Sequence, residues 1–206
     1  MIPSNDGNRG QAPRRQDPAL WLAALLALLC IVLEYGGMEP MLRFDRDAVN
    51  AGAYWQLLTA NLVHLGPSHL WMNLAGLALV VALVWGNFTW LEWLLVLIVS
   101  SLAVSIGLWL FNPQLNAYVG LSGTLHGLIL AGCLADLRRY PVSAGLLLAG
   151  VVAKLAWEQF SGPLPGSEHV AGGNVAVDSH LYGAIGGAVV GGLLLSRKRS
   201  GNTETT

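Results

Sequence analysis

Charged residues are scarce in this chain. Asp, Glu, Lys and Arg make up only 11% of its 206 residues, and the formal net charge is −1. Such a balance argues against a nucleic-acid surface, which needs many basic groups. Cysteine is scarce too, and Cys30 and Cys133 both lie inside apolar runs. We therefore see no disulfide framework and predict no metal site and no cofactor.

Apolar sequence, in contrast, is abundant. Hydrophobic residues make up 54% of the chain and the mean hydropathy is +0.54, outside the range of an ordinary soluble domain. A helix needs ~20 apolar residues to cross a bilayer. Six runs come near that length, at about 19–35, 68–86, 89–110, 121–137, 142–160 and 178–195. The first lacks a small-x-small cleavage site, so we interpret it as a retained span. The sequence predicts an all-α, polytopic bundle of six transmembrane helices.

The runs leave no room for a second folded domain. We predict a disordered cytoplasmic leader at 1–18, a six-span membrane domain at 19–195 and a cytoplasmic tail at 196–206. Eight of the eleven basic residues form three clusters, before the first span, after the fourth and after the sixth. They are Arg9, Arg14 and Arg15, then Arg138 and Arg139, then Arg197, Lys198 and Arg199. Because an even number of spans separates these clusters, all three lie on one side of the membrane. By the positive-inside rule both termini are cytoplasmic. The second, fourth and sixth spans then begin at the outer face.

A Gly-x-Ser-Gly motif, Gly120 to Gly123, heads the fourth run. Glycines on both sides of Ser122 allow close approach to its backbone. If Ser122 begins a helix, its backbone N–H faces the same volume as its hydroxyl, as acyl transfer requires. Small residues also serve helix packing, and the chain has 25 Gly. The motif alone therefore leaves a structural role open.

Two histidine motifs lie at the same outer level. His69 and Asn73 are four residues apart near the start of the second span, so they share one helical face. Such a polar pair in a membrane helix is functional by default, although bonding to a neighbouring helix is the alternative. His180 lies two residues or so into the sixth span, as Ser122 does in the fourth. Gly183 and Gly187 form a small-xxx-small face that lets another helix come close. If that helix is the fourth, His180 meets Ser122.

The remaining ionisable residues are assigned no catalytic role. Lys154 and Glu158 are four apart in the fifth span and are interpreted as a self-neutralising structural pair, with a substrate or proton role as the alternative. Asp178 is only two residues from His180, so on a helix it points elsewhere. We therefore predict a Ser–His dyad with no third acid placed to help it.

Two outer loops have open interpretations. Residues 36–61 form either an interfacial amphipathic segment or a plain solvated loop. Residues 161–177 are rich in proline and glycine, so this loop is a candidate gate over the site.

Together, these motifs resemble the rhomboid intramembrane serine proteases over about residues 19–195. The resemblance implies that Ser122 is the nucleophile and His180 the base. It also implies that His69 and Asn73 stabilise the oxyanion together with the Ser122 backbone N–H. The supporting residues are Gly120, Gly123, His126, Gly183 and Gly187.

Departures from the common pattern indicate a branch of that family. Many rhomboids carry a tyrosine that stacks on the base where this chain has His126, which can stack, hydrogen-bond or simply pack. Many have Trp-Arg where this chain has Trp55-Gln56. These features resemble the rhombosortase branch, which implies a bacterial inner-membrane enzyme with its site towards the periplasm. The implied partners are the bilayer and membrane-anchored proteins with a C-terminal span and a Gly-Gly sorting signal.

Three alternatives remain open. A general rhomboid protease would take other substrates, and a catalytically silent relative would only bind them. A small transporter using Lys154 and Glu158 is disfavoured, because the chain shows no duplicated halves.

Overall fold

The structure is a computed structural model that describes residues 18–203, with side chains described as far as Arg197. This part of the chain forms ten α-helices and two short strands. In chain order they are α1 (Pro18–Tyr35), α2 (Glu39–Leu42), β1 (Phe44–Asp45), α3 (Arg46–Asn50), α4 (Gln56–Thr59), α5 (Pro67–Val84), α6 (Trp90–Phe111), β2 (Ala117–Tyr118), α7 (Ser122–Asp136), α8 (Pro141–Ser161), α9 (Ser167–Ala171) and α10 (Val177–Thr203).

The predicted leader and tail are covered only in part. All of the leader except Pro18 lies outside the described residues, as do residues 204–206. Helix α10 continues to Thr203, so it runs on into the segment predicted as a tail.

Local signals explain where the long helices begin and end. Pro67 and Pro141 occupy the first turns of α5 and α8, where a backbone N–H would have no helical acceptor. Thr89 and Glu92 form a capping box at the start of α6, in which each side chain accepts from the other's backbone N–H. Helix α8 ends at Ser161, and the next residue is Gly162, whose φ of 80° suits glycine.

Five helices of the described chain are long and apolar enough to cross a membrane: α1, α5, α6, α8 and α10. The fourth predicted run forms α7, which has 15 residues and therefore rises about 22 Å at ~1.5 Å per residue. That is less than the ~30 Å of a hydrocarbon core. The all-α polytopic bundle is confirmed, whereas the count of six spans is not. Helix α7 is enclosed by other helices, so its length need not match the bilayer.

Helix α7 lies at the centre of the bundle, in contact with α5, α6, α8 and α10. Its contact with α10 is close because glycines face each other there. A Cβ on Gly183 would overlap the carbonyl oxygen of Gly123, and one on Gly187 would overlap that of Gly127. Small residues at such positions allow helix backbones to touch. The glycine face of the sixth run is therefore the face that meets α7.

The main apolar core joins five long helices. It gathers buried side chains from α1, α5, α6, α7 and α10, among them Cys30, Leu77, Trp93, Leu128 and Val190. Both cysteines are free and buried.

The loop between α1 and α5 is a packed element, which neither sequence interpretation anticipated. Strand β1 pairs antiparallel with β2, so that Phe44 lies opposite Tyr118, and Phe44 is fully buried. The guanidinium of Arg46 donates to four carbonyl oxygens around the end of α6, those of Leu108, Trp109, Asn112 and Leu115, at 2.8–2.9 Å. The last carbonyls of a helix lack helical partners, and a cation there also suits the helix dipole. The loop thereby fixes the segment that leads to Ser122.

Candidate active site

The segment before Ser122 is held in a defined turn. Gly120 has a φ of 126°, in the region that glycine alone adopts easily. Its N–H donates to the carbonyl of Ala60 at 3.0 Å, and its carbonyl accepts from the Tyr118 hydroxyl at 2.8 Å. Burial raises the pKa of Tyr118 to about 12, so this hydroxyl keeps its proton. Ser122 is then the first residue of α7, where its backbone N–H has no intrahelical acceptor.

The structure brings Ser122 and His180 together across α7 and α10. The Ser122 Oγ lies 3.0 Å from Nε2 of His180, within hydrogen-bonding distance. The glycine contact makes this possible, because Gly183 lies one turn beyond His180 and touches Gly123, the neighbour of Ser122. Both residues lie near the starts of their helices, but Ser122 is the first residue of α7 and His180 the fourth of α10, so the equal distance that the sequence predicts is not found.

His69 lies beside the turn that precedes Ser122. Its Nδ1 accepts from the N–H of Leu65 at 3.3 Å, so the proton of the neutral ring is on Nε2. A Cβ on Gly120 would stand 3.0 Å from that Nε2. Asn73, one turn further along α5, donates one amide hydrogen to the carbonyl of His69 at 3.1 Å. Its amide group has a second hydrogen to offer.

His64 supports this arrangement from outside the spans. Its ring packs edge-on against His69 with centroids 5.1 Å apart, and the side chain is fully buried. Burial, with His69 nearby, lowers the pKa of His64 to about 3, so the ring is neutral at physiological pH. His64 therefore packs behind His69 as a buried neutral ring.

His126 lies one turn below Ser122 and stacks on His180. The ring centroids are 4.3 Å apart and the planes differ by 23°. Its Nδ1 lies 2.7 Å from the carbonyl oxygen of Ser122, which only accepts, so Nδ1 carries the proton. Of the alternatives that the sequence left open for this residue, the structure shows two together, stacking on His180 and a hydrogen bond beside it.

A third group reaches His180 from α8. Glu158 is 3% exposed, and its Oε2 lies 2.9 Å from Nδ1 of His180 while its Oε1 lies 2.6 Å from Nζ of Lys154. The prediction that no acid is placed to help His180 is therefore wrong. Asp178 does point elsewhere, as predicted, because its carboxylate accepts a hydrogen bond from Asn112.

The sequence contained only one signal for Glu158, an ionisable residue inside an apolar run. Because the sequence already offered Lys154 as a partner for Glu158, it gave no reason to expect a contact with His180 as well. An i,i+4 ion pair uses one carboxylate oxygen, and the sequence does not say which helix the other oxygen meets.

These side chains line a cavity of about 810 Å³ between α5, α7 and α8. Its polar lining includes His69, Asn73, Ser122, His126, Lys154, Glu158 and His180. The rest is mainly apolar and continues along α5 to Leu79 and Leu83, which are 61% and 52% exposed on the bundle surface. Helix α9, in the loop predicted as a gate, packs against α5 beside this cavity.

One group among the described residues has the composition of a metal site. Ligating atoms of His126, Glu158 and His180 lie within 4.8 Å of one another. Both Nδ1 atoms are already hydrogen-bonded, to the Ser122 carbonyl and to Glu158. Because the two rings are stacked, their in-plane lone pairs do not converge on one point. The arrangement is that of a hydrogen-bonded relay.

Residues 51–197 match the sequence profile of the Rhomboid domain. The chain belongs to the rhomboid family. Members of this family are intramembrane serine proteases that act on membrane proteins, and this rhomboid is accordingly a multi-pass membrane protein. The match begins in the loop between α1 and α5, so it does not include α1, which the sequence resemblance covered. No curated protein matches the chain.

The loop between α1 and α5 shows what this rhomboid has in place of the common Trp-Arg pair. Gln56 is buried, accepts from the N–H of Asp45 at 3.0 Å and donates to the carbonyl of Met41 at 3.4 Å. Trp55 beside it is exposed. Gln56 therefore ties α4 to β1 and to the end of α2.

Proposed function

We propose that this rhomboid is an intramembrane serine endopeptidase in which Ser122 is the nucleophile and His180 the general base. The observation that carries the proposal is the 3.0 Å separation of Ser122 Oγ and His180 Nε2 in a cavity large enough for a peptide segment. An inactive binding protein would have no use for this alignment, so the silent alternative is disfavoured.

The reaction follows the usual course of acyl transfer. His180 takes the hydroxyl proton of Ser122 on Nε2 as Oγ bonds to the peptide carbonyl carbon and an electron pair moves onto the carbonyl oxygen. The proton passes to the leaving amine as the C–N bond breaks, which leaves an acyl-enzyme. A water molecule then gives a proton to His180 and adds to the acyl carbon. Return of that proton to Ser122 Oγ releases the carboxylic acid.

Three donors stabilise the oxyanion in this proposal. They are the backbone N–H of Ser122, the Nε2–H of His69 and the second amide hydrogen of Asn73. The tautomer of His69 supports its role, because the hydrogen bond from Leu65 holds the proton on the nitrogen beside Gly120. Loss of one such donor usually lowers the rate by ~10²–10³.

The substrate class follows from how a peptide reaches a recessed site. A helix in the bilayer hides its carbonyls in its own hydrogen bonds, so a cleavable segment must unwind. Glycine is a poor helix former by about 1 kcal/mol and has no side chain to clash with a narrow cleft. We therefore propose cleavage near a Gly-Gly pair just outside a C-terminal span that is followed by basic residues. The resemblance to the rhombosortase branch supplies the Gly-Gly signal itself.

We propose that the protein lies in the bacterial inner membrane, as the same resemblance implies, with the orientation that the distribution of basic residues supports. Both termini are cytoplasmic, and the site opens towards the periplasm.

The test is to co-express a reporter that carries such a tail with wild-type protein or with Ser122→Ala, and to map new C-termini by mass spectrometry. Ser167→Ala is the matched control, because Ser167 lines the same cavity and donates to the carbonyl of Leu164 rather than to a histidine. Wild type and Ser167→Ala should cut near the Gly-Gly pair, and Ser122→Ala should not.

Two results would contradict parts of the proposal. Equal processing by Ser122→Ala would end the serine-endopeptidase assignment. Unchanged processing after both reporter glycines are replaced by leucine would end the assignment to Gly-Gly tails and favour a general rhomboid protease.

A further inference from the structure

Glu158 sits at the centre of a chain of polar contacts that links three helices. Its Oε1 lies 2.6 Å from Lys154 Nζ on its own helix, and its Oε2 lies 2.9 Å from His180 Nδ1 on α10. The other ring nitrogen of His180 lies 3.0 Å from Ser122 Oγ on α7. The carboxylate is almost completely buried at 3% exposure.

These contacts determine which nitrogen of His180 carries its proton. A carboxylate only accepts hydrogen bonds, so His180 Nδ1 must donate to Glu158. The lone pair of the neutral ring is then on Nε2 and faces the hydroxyl of Ser122. Lys154 Nζ also lies 3.5 Å from Nδ1, but an ammonium group and an N–H both donate, so this contact is no hydrogen bond. The tautomer is the one that a general base needs.

Lys154 determines in turn which way the Glu158 group faces. Its ammonium can only donate, so it holds an oxygen atom at the Oε1 position. The second oxygen is thereby directed at His180. A carboxylate satisfies both neighbours because its two oxygens are equivalent, whereas a group with one oxygen and one NH₂ satisfies both only by reversing the His180 tautomer.

We propose that Glu158 is a positioning residue for His180, and that Lys154 orients its carboxylate. The inference rests on the proposed serine-endopeptidase function and extends the dyad to a Glu158–His180–Ser122 relay. Glu158 stays ionised throughout: it holds the proton on Nδ1 and stabilises the imidazolium that forms when Nε2 takes the Ser122 proton. If Glu158 served only to pair with Lys154, its Oε1 would be enough. That role does not account for the hydrogen bond between its Oε2 and His180.

The first test is Glu158→Gln, which keeps the shape of the side chain. Lys154 will hold the amide oxygen, so the NH₂ will face His180 Nδ1. That nitrogen must then accept, and Nε2 carries the proton towards Ser122, where it cannot act as a base. The expected loss in kcat is on the order of 10³–10⁴, with KM nearly unchanged because substrate contacts are not altered. Glu168→Gln is the control, since that exposed residue on α9 lies outside the relay.

The second test asks whether the loss comes from the tautomer. Lys154→Met removes the group that fixes the amide, so in Lys154→Met/Glu158→Gln the amide oxygen is free to turn to His180 Nδ1. The double variant should regain at least ~10-fold in kcat over Glu158→Gln. A purely structural ion pair predicts no such recovery.

A third comparison does not depend on the folding of Glu158→Gln. Lys154→Met/Glu158→Gln and Lys154→Met/Glu158→Leu are equally neutral, but only glutamine can accept from Nδ1. The glutamine variant should turn over at least ~10-fold faster per folded molecule, with folding measured by thermal unfolding.

The outcomes separate this inference from the proposed function. If wild type cleaves and Ser122→Ala does not, the function holds whatever Glu158 does. The positioning role is overturned if Glu158→Gln keeps a kcat near wild type, or if the glutamine and leucine double variants turn over equally. If wild type itself shows no serine-dependent cleavage, the proposed function fails first.

Discussion

The contact between α7 and α10 is where a single methyl group should have the largest effect. Gly183→Ala adds a Cβ that overlaps the backbone carbonyl oxygen of Gly123 and stands 3.1 Å from Cγ2 of Val104. Carbon and oxygen atoms of adjacent helices normally stay about 3.3 Å or more apart. Because backbone cannot rotate away as a side chain can, the two helices must separate by on the order of 1 Å.

Both stability and activity should respond to that separation. Overpacking of this kind lowers the free energy of unfolding by about 1–3 kcal/mol. The Ser122–His180 distance would grow from 3.0 Å to beyond the reach of a general base. A misplacement of about 1 Å lowers a rate by ~10². Thermal unfolding in detergent and cleavage of a Gly-Gly reporter measure the two effects.

Gly192→Ala provides the matched control on the same helix. Nothing lies within 4 Å of a Cβ at Gly192, so this change should preserve the rate and stabilise the helix by up to about 1 kcal/mol. Wild-type rate and stability in Gly183→Ala would refute the close backbone contact and the argument that it aligns the dyad.

Three further predictions test other parts of the structure. Arg46→Ala should lower the free energy of unfolding by about 3 kcal/mol in thermal or denaturant unfolding, because four carbonyl oxygens lose a charged donor. Arg46→Lys should recover only part of the lost stability, and no change in either variant would contradict the capping role. Gly120→Ala should abolish reporter cleavage, since its φ is 126° and the new Cβ would lie 2.8 Å from Cε1 of His69; full activity would contradict that geometry. Cysteines placed at Gly10 and Gly166 should react with an impermeant reagent from opposite sides of the membrane, and same-side labelling would refute the proposed orientation.

Much of the bundle could be predicted because a bilayer restricts the options. Long apolar runs must be helical, since no water is present to satisfy their backbone groups. The meeting of Ser122 with His180 was predictable because both lie near the starts of apolar helices and because Gly183 and Gly187 form a small-residue face on α10.

Features that depend on distances between helices could not be predicted. The sequence shows Glu158 four residues from Lys154, and that spacing is visible only within one helix. Its contact with His180 requires knowledge of how α8 sits against α10. In the sequence, Arg46 likewise looks like an ordinary charged residue of a loop, because its carbonyl partners at the end of α6 are more than sixty residues away. The fourth run was predicted two residues longer than α7, because Leu121 and Leu137 extend the apolar pattern by one residue at each end.

Labelling with a fluorophosphonate probe tests the central claim about the dyad most directly. The probe reacts with a serine whose proton is removed by a neighbouring base, and peptide mass spectrometry of the detergent-purified protein then locates the adduct. We predict an adduct on Ser122 that forms in the wild type, is absent in Ser122→Ala and is strongly slowed per folded molecule in His180→Ala, with the folded fraction measured by thermal unfolding. An adduct on another serine, or equal labelling of the His180→Ala protein, would contradict a site in which His180 activates Ser122.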